Sequence, residues 1–159
     1  MHRSALLRRL LLRTFTLQLL LMLVFSGLAL SAANRFTDNG NGTVTDNKTG
    51  LMWAVSDNGA DIDFEDGDRY CRSFTAGGFS DWRLPDIEEL KALYDPKAKT
   101  ADGFGITGKI QLSSCCPWSS YDSTGVSSLL DFRTGKEIWS FKGDKELLRA
   151  LPVRGGENN

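Results

Sequence analysis

Gly77-Gly78-Phe79-Ser80-Asp81-Trp82-Arg83-Leu84-Pro85-Asp86-Ile87-Glu88-Glu89-Leu90 is a junction rather than a periodic element. Gly77 and Gly78 end the helix expected before them, because glycine accepts the left-handed backbone that closes a helix. Asp86 and Glu89 stand three apart, the spacing of a capping box with Asp in place of Ser or Thr. They start a second helix, which turns Leu90 and Leu93 inward and stops at Asp95-Pro96. Between the two ends, Trp82 stands between opposite charges and ahead of Leu84-Pro85. An aromatic ring so flanked suits a sugar or peptide platform. The preferred reading is structural: Trp82 fills the core, and Asp81 and Arg83 tie loops to backbone groups or to each other.

Upstream, Asp57, Asp61, Asp63, Glu65, Asp66 and Asp68 fall within twelve residues. A helix is expected from Asp63, whose carboxylate can accept from the open amides of the first turn. Phe64, Tyr70, Cys71 and Phe74 supply its apolar side. Hard carboxylate oxygens at close spacing suit calcium, and Asp57, Asp61 and Asp63 are the candidate ligands. The EF-hand pattern fails, since Gly59 takes its third position and Ile62 its sixth. A solvated acidic loop that caps a helix is therefore preferred, and no cofactor other than calcium is suggested.

Residues 34–55 alternate short β-prone runs with Asn-Gly and Thr-Gly, the chemistry of hairpin turns. A small meander is expected, with Val44, Leu51 and Trp53 buried. The turn also explains Asp38-Asn39-Gly40-Asn41-Gly42, whose composition is that of some calcium loops. Residues 96–114 read as loop. Strands follow at Trp118–Tyr121, Val126–Phe132, Glu137–Phe141 and Leu147–Val153. Strands, two short helices, a loop and more strands give an α+β class, with one antiparallel sheet built from both ends of the chain. Trp53, Trp118 and Trp139 are core candidates. Ser119, Ser120 and Tyr121 read as more open. No alternating βαβ pattern and no glycine-rich phosphate loop is present.

Four arginines (Arg3, Arg8, Arg9 and Arg13) precede an almost wholly apolar run from Leu17 to Leu30, and Ser31-Ala32-Ala33 follows. This is the form of a cleaved export signal, expected over residues 1–33. The alternative is an uncleaved anchor, which would be the chain's only tie to a membrane. The remaining domain, residues 34–159, keeps 15 basic against 20 acidic residues. That acidity argues against nucleic acid as a partner. His2 is the single histidine and lies in the leader. The rest of the chain has no imidazole, which excludes Ser-His-Asp and Cys-His catalysis and His-ligated metals there. Asn41-Gly42-Thr43 and Asn47-Lys48-Thr49 match glycosylation sequons but read as incidental.

Export places Cys71, Cys115 and Cys116 in an oxidising compartment, periplasmic, cell-surface or secreted. Three thiols leave one over. Cys71 bridged to Cys115 or Cys116 is the expected pairing. A bond within the adjacent pair and a reactive thiol are the alternatives.

An ordered set of pieces then carries a resemblance. It runs through Arg35 to Asp46, Thr49 to Trp53, Tyr70-Cys71, Gly77 to Leu90, Trp118-Ser119-Ser120 and Val153 to Gly156. The chain resembles the Lcl C-terminal domain family, bacterial domains named after a collagen-like adhesin. The resemblance implies a C-type-lectin-like fold with two helices beside an antiparallel sheet and neighbouring termini. It implies an exported, non-catalytic binding or adhesion module, with a surface glycan or an extracellular protein as partner. Gly77, Gly78, Trp82, Arg83, Pro85, Asp86 and Glu89 are its structural motif. Members often carry a Cys near the final Val-Arg, where this chain has none, so Cys71 must pair with the doublet or stay free. The triplets that hold sugar through calcium in C-type lectins are missing, so that activity does not transfer. In lectin-like folds the loops of this region form the variable face. The ligand surface is therefore expected on residues 97–125, with Trp118, Ser119, Ser120, Tyr121 and Asp122 as candidates. Two other classes are a structural envelope protein and, less favoured, a relative of formylglycine-generating enzymes using cysteine chemistry.

Overall fold

The computed structural model describes residues 35–107, 109–121 and 123–156. The leader expected over residues 1–33 lies outside them. Among the described residues no helix is long and apolar enough to cross a membrane.

The N-terminal meander forms as its turns demand. Strands β1 (Phe36–Asp38), β2 (Thr43–Asp46) and β3 (Met52–Ala54) pair antiparallel in sequence order. The first turn closes with Asn39 N donating to Thr43 O at 3.0 Å, and the second with Gly50 N donating to Asp46 O at 2.8 Å. Gly50 sits at φ 75°, which a side chain would resist. Val44 pairs with Trp53, and both are fully buried. A strand from the far end of the chain, β8 (Val153–Arg154), completes the sheet in the order β1-β2-β3-β8.

Helix α1 (Phe64–Ser73) starts at Asp63, whose side chain accepts from Asp66 N at 2.9 Å. Its buried residues are Phe64, Gly67 and Cys71. Gly67 brings the helix against Trp118 and Ala150: a Cβ there would sit 3.5 Å from each. Gly77 and Gly78 do not end α1, which stops at Ser73 because Phe74 turns to extended backbone; they form a separate 3₁₀ turn (Ala76–Gly78), with Gly77 at φ 70° and Gly78 at φ 80°. Helix α2 (Ile87–Leu93) carries the full capping box between Asp86 and Glu89. Leu90 and Leu93 are buried; each such burial stabilises by about 1.5–3 kcal/mol.

The second half differs from the single sheet expected. β4 (Cys116–Pro117) pairs in parallel with β7 (Leu148–Arg149), and β5 (Val126–Asp131) forms a hairpin with β6 (Lys136–Phe141). The class is α+β with two helices, but the described strands fall into three sheets, two antiparallel and one a short parallel pair. The final run is divided because the end of β3 and the loop after it occupy the backbone between β7 and β8. Asn58 N donates to Ala150 O, Ala150 N donates to Asn58 Oδ1, and Ala54 N donates to Pro152 O. Residues 96–114 are also less open than a polar loop should be. Phe104, Ile106, Ile110 and Leu112 are all buried in the core.

The expected bridge from Cys71 is not formed. Cys115 and Cys116 are joined to each other, and Cys71 is a free, buried thiol. Cys71 is fixed on the buried side of α1, whereas the doublet is held between β5 and β7. Cys115 O accepts from Phe132 N at 2.9 Å beside β5, and Cys116 is in register with Leu148 on β7.

Candidate functional site

The Gly77–Leu90 junction proves to be a tie between α2 and the C-terminal strand. Arg83 and Val153 exchange backbone hydrogen bonds, Arg83 N to Val153 O at 2.9 Å and Val153 N to Arg83 O at 3.0 Å. The Arg83 guanidinium donates to both oxygens of Glu89 and, through Nη2, to Gly155 O at 3.0 Å. Glu89 in turn accepts from Asp86 N, so one carboxylate serves both the cap and the arginine. Asp81 grips Arg154 with both oxygens, at 2.7 and 3.0 Å, and the Arg154 guanidinium lies 3.7 Å from the Phe79 ring centre. Asp81 and Arg83 thus bind different partners instead of each other. Trp82 is buried edge-to-face against Phe74, as its core role requires. Pro85 O accepts from Ser120 N at 2.7 Å and so anchors the next segment.

The three calcium candidates are each committed to protein donors. Asp57 accepts from Ser113 N at 2.7 Å, from Ser113 Oγ at 2.8 Å and from Gly59 N at 2.9 Å. Asp61 accepts from Arg149 Nη1 at 2.6 Å and from Leu147 N. Asp63 caps α1 and lies 3.1 Å from Lys145 Nζ. Arg149 Nε reaches Ser113 Oγ at 2.7 Å, so Asp57, Ser113, Arg149 and Asp61 form one chain of contacts. Among the described residues, Asp57, Asp61 and Asp63 do not converge as a ligand group. The Arg149 hydrogen bond holds the Asp61 carboxyl below its usual range, and the Asp66 amide does the same for Asp63.

The proposed ligand residues divide. Trp118 is fully buried, donates from Nε1 to Ile62 O at 3.0 Å and stacks edge-on against Phe64. Ser119 is also buried, its hydroxyl 2.7 Å from that of Ser128. Both hold the sheet. Ser120 is exposed. Tyr121 is 49% exposed, with its carbonyl fixed by Ser127 Oγ at 2.6 Å. Asp122 lies outside the described residues.

Beside Tyr121 stands a residue expected in the core. Trp139 is 55% exposed, and its ring meets that of Tyr121 edge-to-face with centroids 5.1 Å apart. Strand alternation puts Phe141, 70% exposed, on the same face two residues on. Among the described residues β6 pairs only with β5, and its Trp139 and Phe141 side chains stand open. The hint in the sequence was partial: aromatic residues at 139 and 141 stand opposite the small or short Ser128 and Val126. Ile138 and Leu147 are also exposed, the latter at φ 64°. Leu147 N donates to Asp61, and Ser114 Oγ donates to Leu147 O at 2.8 Å, which holds this uncommon backbone in place.

Cys71 offers little chemistry. Burial pushes its thiol well above the ordinary range, which suppresses the reactive thiolate.

No curated protein matches the chain. The family model described as the Lcl C-terminal domain matches residues 42–154, from the second strand of the meander to the last strand of the sheet, and the chain belongs to that family.

Proposed function

We propose that this chain is an exported, non-catalytic binding or adhesion module of the bacterial envelope or cell surface. We further propose a C-type-lectin-like fold, with β1 and β8 bringing the ends of the domain into one sheet. The observation that carries the reading is the exposed pair of Tyr121 and Trp139 at 5.1 Å, extended by Phe141. Aromatic faces held at fixed angles suit the apolar faces of sugar rings and offer large contact area at small entropic cost. A surface glycan is the first ligand class and an extracellular protein the second. Support for a non-catalytic role comes from the lack of any imidazole after residue 2 and from the suppressed Cys71 thiol.

A glycan array run with and without calcium tests this, with Trp139→Ala and Tyr121→Ala as controls. Binding to a glycan class that both substitutions abolish supports the reading. Calcium should have no effect, because Asp57, Asp61 and Asp63 do not converge as a ligand group among the described residues. Glycan binding that survives both substitutions would place the ligand elsewhere on the domain.

A further inference from the structure

Cys115 Sγ, Cys116 Sγ and a carboxylate oxygen of Asp131 lie within 4.8 Å of one another, and all three residues are buried. Backbone contacts set this convergence from both sides. Phe132, next to Asp131, donates its amide to Cys115 O at 2.9 Å, and Cys116 is held in register with Leu148. Opening the disulfide would therefore leave two sulfurs facing the same carboxylate. Asp131 already accepts from Arg133 N and Nε at 2.9 Å and from Nη2 at 3.1 Å, so a cation sits beside the group.

We propose that Cys115, Cys116 and Asp131 form a redox-gated site for a thiophilic divalent cation of the zinc class. While the sulfurs are bonded to each other the site is closed. An external dithiol opens it: the S–S bond takes two electrons and two protons and becomes two thiols, and the dithiol is oxidised to its own disulfide. The arriving cation displaces both thiol protons to solvent and binds two thiolates and one carboxylate. Three negative ligands against a divalent ion leave one negative charge, which the adjacent Arg133 guanidinium offsets. Thiolate sulfur selects zinc-like ions over calcium or magnesium, and one coordination position remains for water.

The test uses the whole exported chain carrying Cys71→Ala, so that the doublet supplies the only thiols. The chain is reduced with a phosphine, freed of it without air, and titrated with Zn²⁺ against a competing chelator. One Zn²⁺ per reduced chain and none per oxidised chain is expected. Asp131→Asn should weaken binding at least about tenfold, and Asp131→Glu should restore part of it. Cys115→Ser with Cys116→Ser should abolish it. Amide NMR of the reduced parent keeps the test open where a variant fails to fold: Zn²⁺ should shift residues 115, 116 and 131 first. Equal binding by the oxidised chain, unchanged affinity in Asp131→Asn, or reduction that occurs only on unfolding would each overturn the proposal.

Discussion

Arg83 and Glu89 meet in a two-pronged ion pair, Nη1 to Oε2 at 2.8 Å and Nη2 to Oε1 at 2.7 Å, with Glu89 the less exposed partner. The planar fork of arginine matches both carboxylate oxygens, which a lysine ammonium cannot do. The pair also spends Glu89 on the α2 cap and Arg83 on Gly155 O, so three elements depend on one contact. Arg83→Lys and Glu89→Gln should each lower stability by about 1.5–3 kcal/mol. Because the residues share a contact, the double variant should lose less than the singles added together. Urea denaturation of the three variants measures this, and strict additivity would mean that the pair does not act as a unit.

Tyr94 is clamped between two glycines. A methyl group at Gly105 would stand 2.5 Å from the Tyr94 ring and 2.9 Å from Asp95 O, and one at Gly135 would also run into that ring. Gly135 adds a backbone cost, since it sits at φ 72° in the β5–β6 turn. Gly135→Ala should therefore cost more than the roughly 1 kcal/mol that the backbone alone would explain. Combining it with Tyr94→Leu should recover the steric part and leave the backbone part. Thermal melts of the single and double variants separate the two, and no recovery would assign the whole loss to the turn.

The caps and turns were legible in the sequence because they are local. Asp63, Asp86 and Glu89 act on residues within a turn of themselves, so spacing alone carries their meaning. The core positions of Val44, Leu51, Trp53, Leu90 and Leu93 followed from periodicity. What depended on long-range layering was not legible. Nothing near Trp139 says that its ring will stand open. Nothing near Cys71 says that α1 holds it while β5 and β7 hold the doublet. The buried apolar residues of 104–112 were masked by the Lys, Gly, Thr and Ser around them. Within the candidate site, Ser120 and Tyr121 are open as expected and Trp118 is buried as a core candidate should be, which removes it as a ligand residue, while Ser119, expected to be open, faces inward.

Acid should weaken the domain through its paired carboxylates. Asp61, Asp63 and Asp81 all have folded-state pKa values lowered from the usual 3.8, first by Arg149, by the Asp66 amide and by Arg154 respectively. A lowered folded value means that the unfolded chain takes up protons first as pH falls. Their stabilisation is complete above the ordinary carboxylate range and is lost as pH drops from there through the depressed values. Melting temperature measured between about pH 6 and pH 2 should decline across that window. Asp81→Asn should flatten the decline while lowering stability at neutral pH, since Arg154 loses its partner. An unchanged slope in that variant would remove Asp81 from the acid response.

Trp118 and Trp139 give opposite expectations for the same substitution, and that contrast tests where function resides. Trp118 is fully enclosed, with its indole N–H on Ile62 O and its ring against Phe64 and the Gly67 side of α1. Trp118→Ala removes both the packing and the hydrogen bond and should cost about 3–5 kcal/mol, enough to unfold a marginal domain. Trp139 is 55% exposed and touches Tyr121 across an open face. Trp139→Ala gives up an edge-to-face contact of about 0.5–1.5 kcal/mol and should leave the fold and its melting cooperativity intact. The proposed binding role predicts that so exposed a ring matters more to a partner than to folding. Denaturation of both variants, read beside binding by Trp139→Ala, decides the matter. Should Trp139→Ala prove as destabilising as Trp118→Ala, the ring would be structural, and the open face would lose its claim as the binding surface.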